Sequence, residues 1–290
     1  VYNKKAIKVI KSSGSEGMKY KLICIDMDGT LLNDNHEVSE ENKIALKNAI
    51  DKGIKIAITT GRSFIAASQY AEVLGIKASI IASNGTYIRE KDEDKVIYKH
   101  PFNREQFNKV CDVIEKYDIK KYFNTYNTMI TNAEPPENHG YVISNKIAPD
   151  NLQVKFGIHK DFREAYDIYK DEILKAIVIT ENTELLAKIK EELQAVGGLE
   201  VVSSGWQNVE IMAEGTSKGK GVKAFGEILG IDKEEIMCIG DNENDISMLT
   251  YAGLGVAMGN ATEEVKELAG YVTDTNNNSG VAKAINKFAL

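Results

Sequence analysis

The sequence predicts an α/β protein, a doubly wound parallel sheet into which a second α/β unit is inserted. Three observations lead there. Between Leu22 and Ala82, apolar β-prone runs alternate with helical patterns in the order β-α-β-α-β, which calls for a parallel sheet with helices on its faces. Three apolar runs end in polar clusters, at Asp26 to Asp28, Thr59 to Gly61 and Gly240 to Asp245, and ligands of such sheets bind at the carboxyl ends of the strands. Near Pro101 the pattern changes: all four prolines lie between residues 101 and 149, and a self-contained run of strands and helices follows. A chain of 290 residues also exceeds the usual single-domain size.

Each element has a local reason. Leu22 to Ile25 is a buried strand that delivers Asp26 and Asp28 at its tip and is cut off by Gly29. Ser39 caps a helix patterned by Ile44, Ala45, Leu46, Ala49 and Ile50, closed at Gly53. Ile54 to Ile58 is the second strand, and Ser63 to Leu74 a helix stopped by Gly75. Ala78 to Ala82 is the third strand, ahead of Asn84-Gly85, a hairpin-turn signal.

In the inserted unit, Asn103 to Tyr117 is a helix, Lys121 to Thr131 a hairpin, and Asn132 to Asp150 irregular. Leu174 to Thr180 and Leu199 to Ser203 are strands around a helix from Thr183 to Val196. Val209 to Met212 reads as the return to the first sheet. Lys218 then opens a helix reaching Leu229, Ile236 to Ile239 is a buried strand, and Leu254 to Met258 and Tyr271 to Thr273 are short strands, each followed by a helix. The expected division is 18–101 and 208–290 for the core and 102–207 for the insert, with hinges near Phe102 and near Trp206 to Asn208. Residues 1–17 lack the continuous apolar stretch of a signal peptide and read as an expression extension or a mis-called start.

Composition narrows the function classes. No apolar run approaches the ~20 residues of a membrane span, and a net charge of −7 argues against a nucleic-acid partner, which would call for a basic stripe. Cys24, Cys111 and Cys238 sit in apolar patterns and read as reduced core residues. With no CxxC and with His36, His100, His139 and His159 scattered, a zinc site is not expected and the compartment is expected to be cytoplasmic.

The chemistry starts at Asp26 and Asp28. Residues i and i+2 of a strand face the same side, so both carboxylates meet one small volume. Their repulsion calls for a cation between them, an acid of raised pKa, or both.

Together DxDGT at 26–30, TTGR at 59–62, Lys218 before a helix and GDNEND at 240–245 resemble the haloacid dehalogenase superfamily, across residues 18–290. An insert between the second and third motifs resembles its Cof-type branch. The resemblance implies a Rossmann-like core with an inserted α/β cap, and a Mg²⁺-dependent phosphatase of small phosphate monoesters such as sugar phosphates. It implies Asp26 as nucleophile and Asp28 as general acid and base, with like-charged neighbours keeping a proton on Asp28. It implies metal ligation by Asp26, the Asp28 carbonyl and Asp241, with Asp245 as an alternate ligand, and phosphate binding by Met27, Thr60, Gly61, Lys218 and Asn244. A sugar phosphomutase and a non-catalytic phosphate-ester binding protein are the alternatives. Arg62 is read as an anion ligand or a packing residue, Trp206 as a core or linker anchor, and Asn84-Gly85 as a turn. Asn124, Asn127, His139, Lys155 and Arg163 of the cap are read as solvated.

Overall fold

A computed structural model describes residues 19–75 and 78–290; the expectation for residues 1–17 lies outside them. The chain runs β1 (Leu22–Asp26), α1 (Glu40–Asp51), β2 (Lys55–Thr59), α2 (Phe64–Leu74), β3 (Ser79–Ala82), β4 (Tyr87–Glu90) and β5 (Val96–Lys99) before it leaves the first sheet. The inserted unit follows as α3 (Arg104–Ile114), β6 (Lys120–Asn124), β7 (Thr128–Thr131), α4 (Gly140–Asn145), β8 (Lys155–Ile158), α5 (Phe162–Ile168), β9 (Lys175–Ile179), α6 (Thr183–Ala195), β10 (Leu199–Val202) and β11 (Asn208–Ala213). The first sheet resumes with α7 (Lys218–Leu229), β12 (Ile236–Gly240), α8 (Ile246–Tyr251), β13 (Leu254–Ala257), α9 (Glu263–Leu268), β14 (Tyr271–Val272) and α10 (Gly280–Phe288).

The core sheet has the order β14-β13-β12-β1-β2-β3-β4-β5, parallel from β14 to β3, with β4 and β5 antiparallel at the edge. Strands covered on both faces need apolar residues on both sides, which is why β1 reads as an unbroken apolar run. Ile23 and Ile25 pack beneath α1, α2 and α10, while Leu22 and Cys24 pack on the other face with Val222, Phe225 and Met248. The Ser39 hydroxyl caps α1 by accepting from the Asn42 amide at 3.2 Å. All three cysteines are buried and free. Among the described residues, no helix is long and apolar enough to cross a membrane.

The cap sheet has the order β10-β11-β9-β6-β7-β8, antiparallel except for β7 with β8. Its two faces differ sharply. Phe123, Ile130, Ala176, Val178, Val209 and Ile211 face α3, α5 and α6. The alternating set, including Tyr122, Asn124, Met129, Lys175, Ile177 and Glu210, lines a cleft of about 980 Å³ against the core.

Several expectations change here. The strand expected to restart the core at residue 208 is β11, which pairs with β9 and β10 in the cap sheet, so the chain recrosses after Ala213. Apolar alternation is the same in either sheet, so pattern alone assigned the strand wrongly. Trp206 is 65 % exposed and anchors no core. Asn124 is buried, and both it and His139 line the cleft. The 132–150 stretch holds the short helix α4, and β4, β5, β8 and α5 are additional elements.

Candidate active site

The parallel register lays three strand ends side by side: Asp26 is paired with Thr59, and Ile25 with Ile239, one residue before Gly240. The chain therefore brings its first, second and fourth motifs to one edge. Lys218 completes the set as the first residue of α7, whose cap is the Ser217 hydroxyl accepting from the Lys220 amide at 3.1 Å.

Lys218 is 1 % exposed, and its Nζ donates to Asp26 Oδ1 at 2.5 Å and to Asp245 Oδ1 at 2.6 Å. Burial opposes its charge, but Asp245 and Asp26 more than offset this and hold it protonated. The other oxygen of Asp245 accepts from the Asp241 and Asn242 amides at 2.9 and 3.0 Å. Asp245 thus holds Lys218 and the loop after β12, and both its oxygens are engaged. Each carboxylate oxygen keeps a further lone pair, so the expected alternate-ligand role of Asp245 remains open to it.

Asp241 is brought in by the turn after β1. Thr30 Oγ1 donates to Asp241 Oδ1 at 2.6 Å. Gly29 has φ +77°, and a Cβ there would stand 2.5 Å from Asp241 Oδ2. Only glycine satisfies both the left-handed backbone and the close approach.

Asp26, Asp241 and Asp245 bring oxygens within 4.8 Å of one another, against the single charge of Lys218. Burial and then Asp245 push Asp26 well above the usual carboxylate range, and the same two causes push Asp241 up to about 7. Hard oxygen donors with unbalanced negative charge fit a small divalent cation. Asp26 and Asp241 have the oxygens to hold it.

Asp28 behaves differently from the expectation that crowding would keep it protonated. Its carboxylate turns from the other acids to Arg62, which donates from Nε at 2.8 Å and from Nη2 at 2.7 Å. Enclosure raises its pKa, but the Arg62 hydrogen bonds and charge outweigh this and hold Asp28 below its ordinary value. Arg62 also lies over the Tyr70 ring, 4.6 Å from its centroid. Of the two readings of Arg62, the anion ligand is the one observed, with the Asp28 carboxylate as the anion held by its planar fork.

The other expected residues are placed as follows. Thr60, Gly61 and Asn244 line the cleft with Asp26 and Asp28, while the Met27 side chain lies in the core. Asn84 sits in the turn between β3 and β4 with φ +55°, as expected, but it is buried and donates to Glu210 at 2.7 Å while accepting from Asn244 at 3.2 Å. Asn124 Oδ1 is buried on the cleft side and has no hydrogen-bond partner among the described residues. Lys175 and Glu210 were missed altogether. Their sequence signal was a charge inside an otherwise apolar strand.

Residues 23–285 match a family described as haloacid dehalogenase-like hydrolases. The chain is 35 % identical over 275 residues to the 5-amino-6-(5-phospho-D-ribitylamino)uracil phosphatase YcsE of Bacillus subtilis, covering 95 % of this chain and 98 % of the relative. It is similar to the solved structure of a haloacid dehalogenase-like hydrolase from B. subtilis, with a TM-score of 0.81, 30 % identity, and coverage of 92 % and 99 %. It is also similar to the structure of the subclass IIB sugar phosphatase BT4131, with a TM-score of 0.74, 32 % identity, and coverage of 92 % and 98 %.

Proposed function

Because this chain belongs to the Cof-type branch of the haloacid dehalogenase superfamily, and is like its relatives a phosphoric monoester hydrolase, we propose that it hydrolyses small metabolite phosphates through an aspartyl-phosphate on Asp26, with Mg²⁺ as cofactor. The observation that carries this reading is Lys218, locked by Asp245 beside the Asp26 carboxylate at the floor of the cleft.

Asp26 attacks phosphorus, the ester P–O bond breaks, and Asp28 gives its proton to the departing alkoxide. Water then attacks the phosphoryl group on Asp26 while the Asp28 carboxylate takes the proton, and inorganic phosphate leaves. The Arg62 pair gives Asp28 its two states. At rest it is an ionised base; an incoming phosphate competes for Arg62 and adds negative charge, which raises the affinity of Asp28 for a proton. Thr60, Lys218, Asn244 and the Met27 and Gly61 amides receive the phosphoryl oxygens. The Asp26 and Asp241 carboxylates and the Asp28 carbonyl would hold Mg²⁺, which supplies charge neutralisation at the phosphoryl group.

The cleft suits a metabolite-sized ester. The unpartnered Asn124 Oδ1 favours a leaving group that brings a donor, such as a sugar or polyol hydroxyl. A panel of hexose phosphates, p-nitrophenyl phosphate and the ribitylaminouracil phosphate named for YcsE is the direct test. Phosphate release that requires Mg²⁺ and stops with chelator is expected; release indifferent to chelator would remove the metal from the reading. Reversible sugar-phosphate isomerisation with negligible free phosphate would assign a phosphomutase instead.

The crowded acids give a second expected outcome, in stability. A folded-state pKa of about 7 at Asp241 lies above the unfolded carboxylate value of ~3.9. The folded state therefore holds a proton that the unfolded state has lost, and this contribution to metal-free stability falls as pH rises between those values. Mg²⁺ competes with that proton. Thermal denaturation should show a larger Mg²⁺-induced rise in Tm near about pH 8 than near about pH 5.5. Equal shifts at both pH values would take Asp241 out of the cation site.

A further inference from the structure

Two charged side chains stand inside the cap sheet, Lys175 at the start of β9 and Glu210 in β11, each 3 % exposed and paired Nζ to Oε1. None of the steps above uses them. A buried ion pair is a weak source of stability, since apolar residues of the same volume do as well. What else the pair touches is more informative.

Lys175 Nζ also donates to the Gly61 carbonyl oxygen. The amide at the other end of that peptide, Arg62 N–H, donates to Thr60 Oγ1 at 3.1 Å. One lone pair of the Thr60 hydroxyl is thereby occupied, and its proton is left to donate elsewhere. On the second branch, Glu210 Oε2 accepts from Asn84 Nδ2 at 2.7 Å, and Asn84 Oδ1 accepts from Asn244 Nδ2 at 3.2 Å. The carboxylate lies so near Gly61 that a Cβ there would stand 3.0 and 3.1 Å from its two oxygens. The pair therefore reaches both sides of the phosphate cradle, from the cap. Lys175 Nζ and Glu210 Oε2 each bond a core partner, so the pair is directed at the cradle.

We propose that Lys175 and Glu210 are positioning residues for phosphoryl transfer: with the cap down they fix the Gly61 peptide, the Thr60 hydroxyl and the Asn244 amide where the phosphoryl oxygens are received. The inference rests on the phosphatase reading above. Its consequence is that the cradle is complete only under a closed cap, which ties closure to chemistry.

The test uses Lys175→Met, Glu210→Gln and Asn84→Gly in the full chain. Asn84→Gly keeps the positive φ of the turn and leaves the ion pair intact, so it serves even where unpairing a buried charge impairs folding. The control is Lys190→Ala, which removes another cap-to-core contact, Lys190 Nζ to Glu243 Oε1 at 2.8 Å on a more open rim. Kinetics are measured with p-nitrophenyl phosphate and with a hexose phosphate, alongside inhibition by orthovanadate.

The expected result is a fall in kcat of about 100-fold for the ion-pair variants, similar for both esters, as for a small misplacement of reacting groups. Vanadate inhibition should weaken by about 10-fold or more in all three variants, because vanadate needs the same donors. Lys190→Ala should stay near wild type. A loss confined to one ester would make the pair leaving-group contacts and overturn the proposal, as would unchanged vanadate inhibition or an equal loss in Lys190→Ala. Wild-type protein that releases phosphate from no ester would instead overturn the phosphatase reading itself.

Discussion

Asp26→Asn is expected to lower kcat for phosphate release by about 10⁴-fold or more, the scale at which loss of a nucleophile leaves only the surrounding binding groups. The side chain is 5 % exposed at the last position of β1, so the substitution changes one atom in a fixed frame. An amide oxygen still accepts from Lys218, but the amide cannot become an acyl-phosphate. The fold should not suffer. Burial and Asp245 already disfavour the charged form of Asp26, so removing that charge should raise Tm in chelator. Steady-state kinetics and thermal denaturation on one preparation separate the two effects. Turnover that survived would move the nucleophile elsewhere, and a Tm that fell would show that the Asp26 charge supports the fold through Lys218.

Lys218→Met should damage both function and fold. Among the described residues the ammonium is the one cation hydrogen-bonded to both Asp26 and Asp245, and methionine leaves those carboxylates buried and unpaired, at a destabilisation of about 3–5 kcal/mol. Activity should fall by about 10³-fold with the loss of a charge aimed at the transferring group. The two losses can be parted by adding Asp245→Asn. The double variant should regain much of the stability, since one orphaned charge is gone, and none of the activity. Equal recovery of both would make Lys218 a structural residue and nothing more.

How far the sequence could be read depended on whether a feature is local. The tips of β1, β2 and β12 and the opening of α7 were legible because each is an apolar run or helix start ending in residues that such an element does not need for itself. The partners of Arg62 were not, because pairing with Asp28 depends on how two loops meet across 34 positions of sequence. β11 was misassigned because alternation reports burial and says nothing of which sheet does the burying. The lone lysine at the start of β9 and the glutamate within VEIM were visible, yet a charge in an apolar strand gains meaning only when its counterpart is known. Asn124 was read as solvated because polarity is the usual marker of exposure, and on a cap sheet that marker inverts.

The two crossings between core and cap carry a mechanical implication. One is His100 to Asn103, between β5 and α3, and the other is Glu214 to Ser217, between β11 and α7. Each strap has four residues, which fully extended reach at most about 14 Å, and each is anchored, by Phe102 N–H on the Ile173 carbonyl and by Thr216 Oγ1 on the Ala213 carbonyl. Two short anchored straps define an axis, so the cap is expected to swing like a shutter about that line instead of roaming on a tether. The second strap ends on Lys218 itself. Opening the shutter therefore pulls on the same piece of chain that sets the charge beside Asp26.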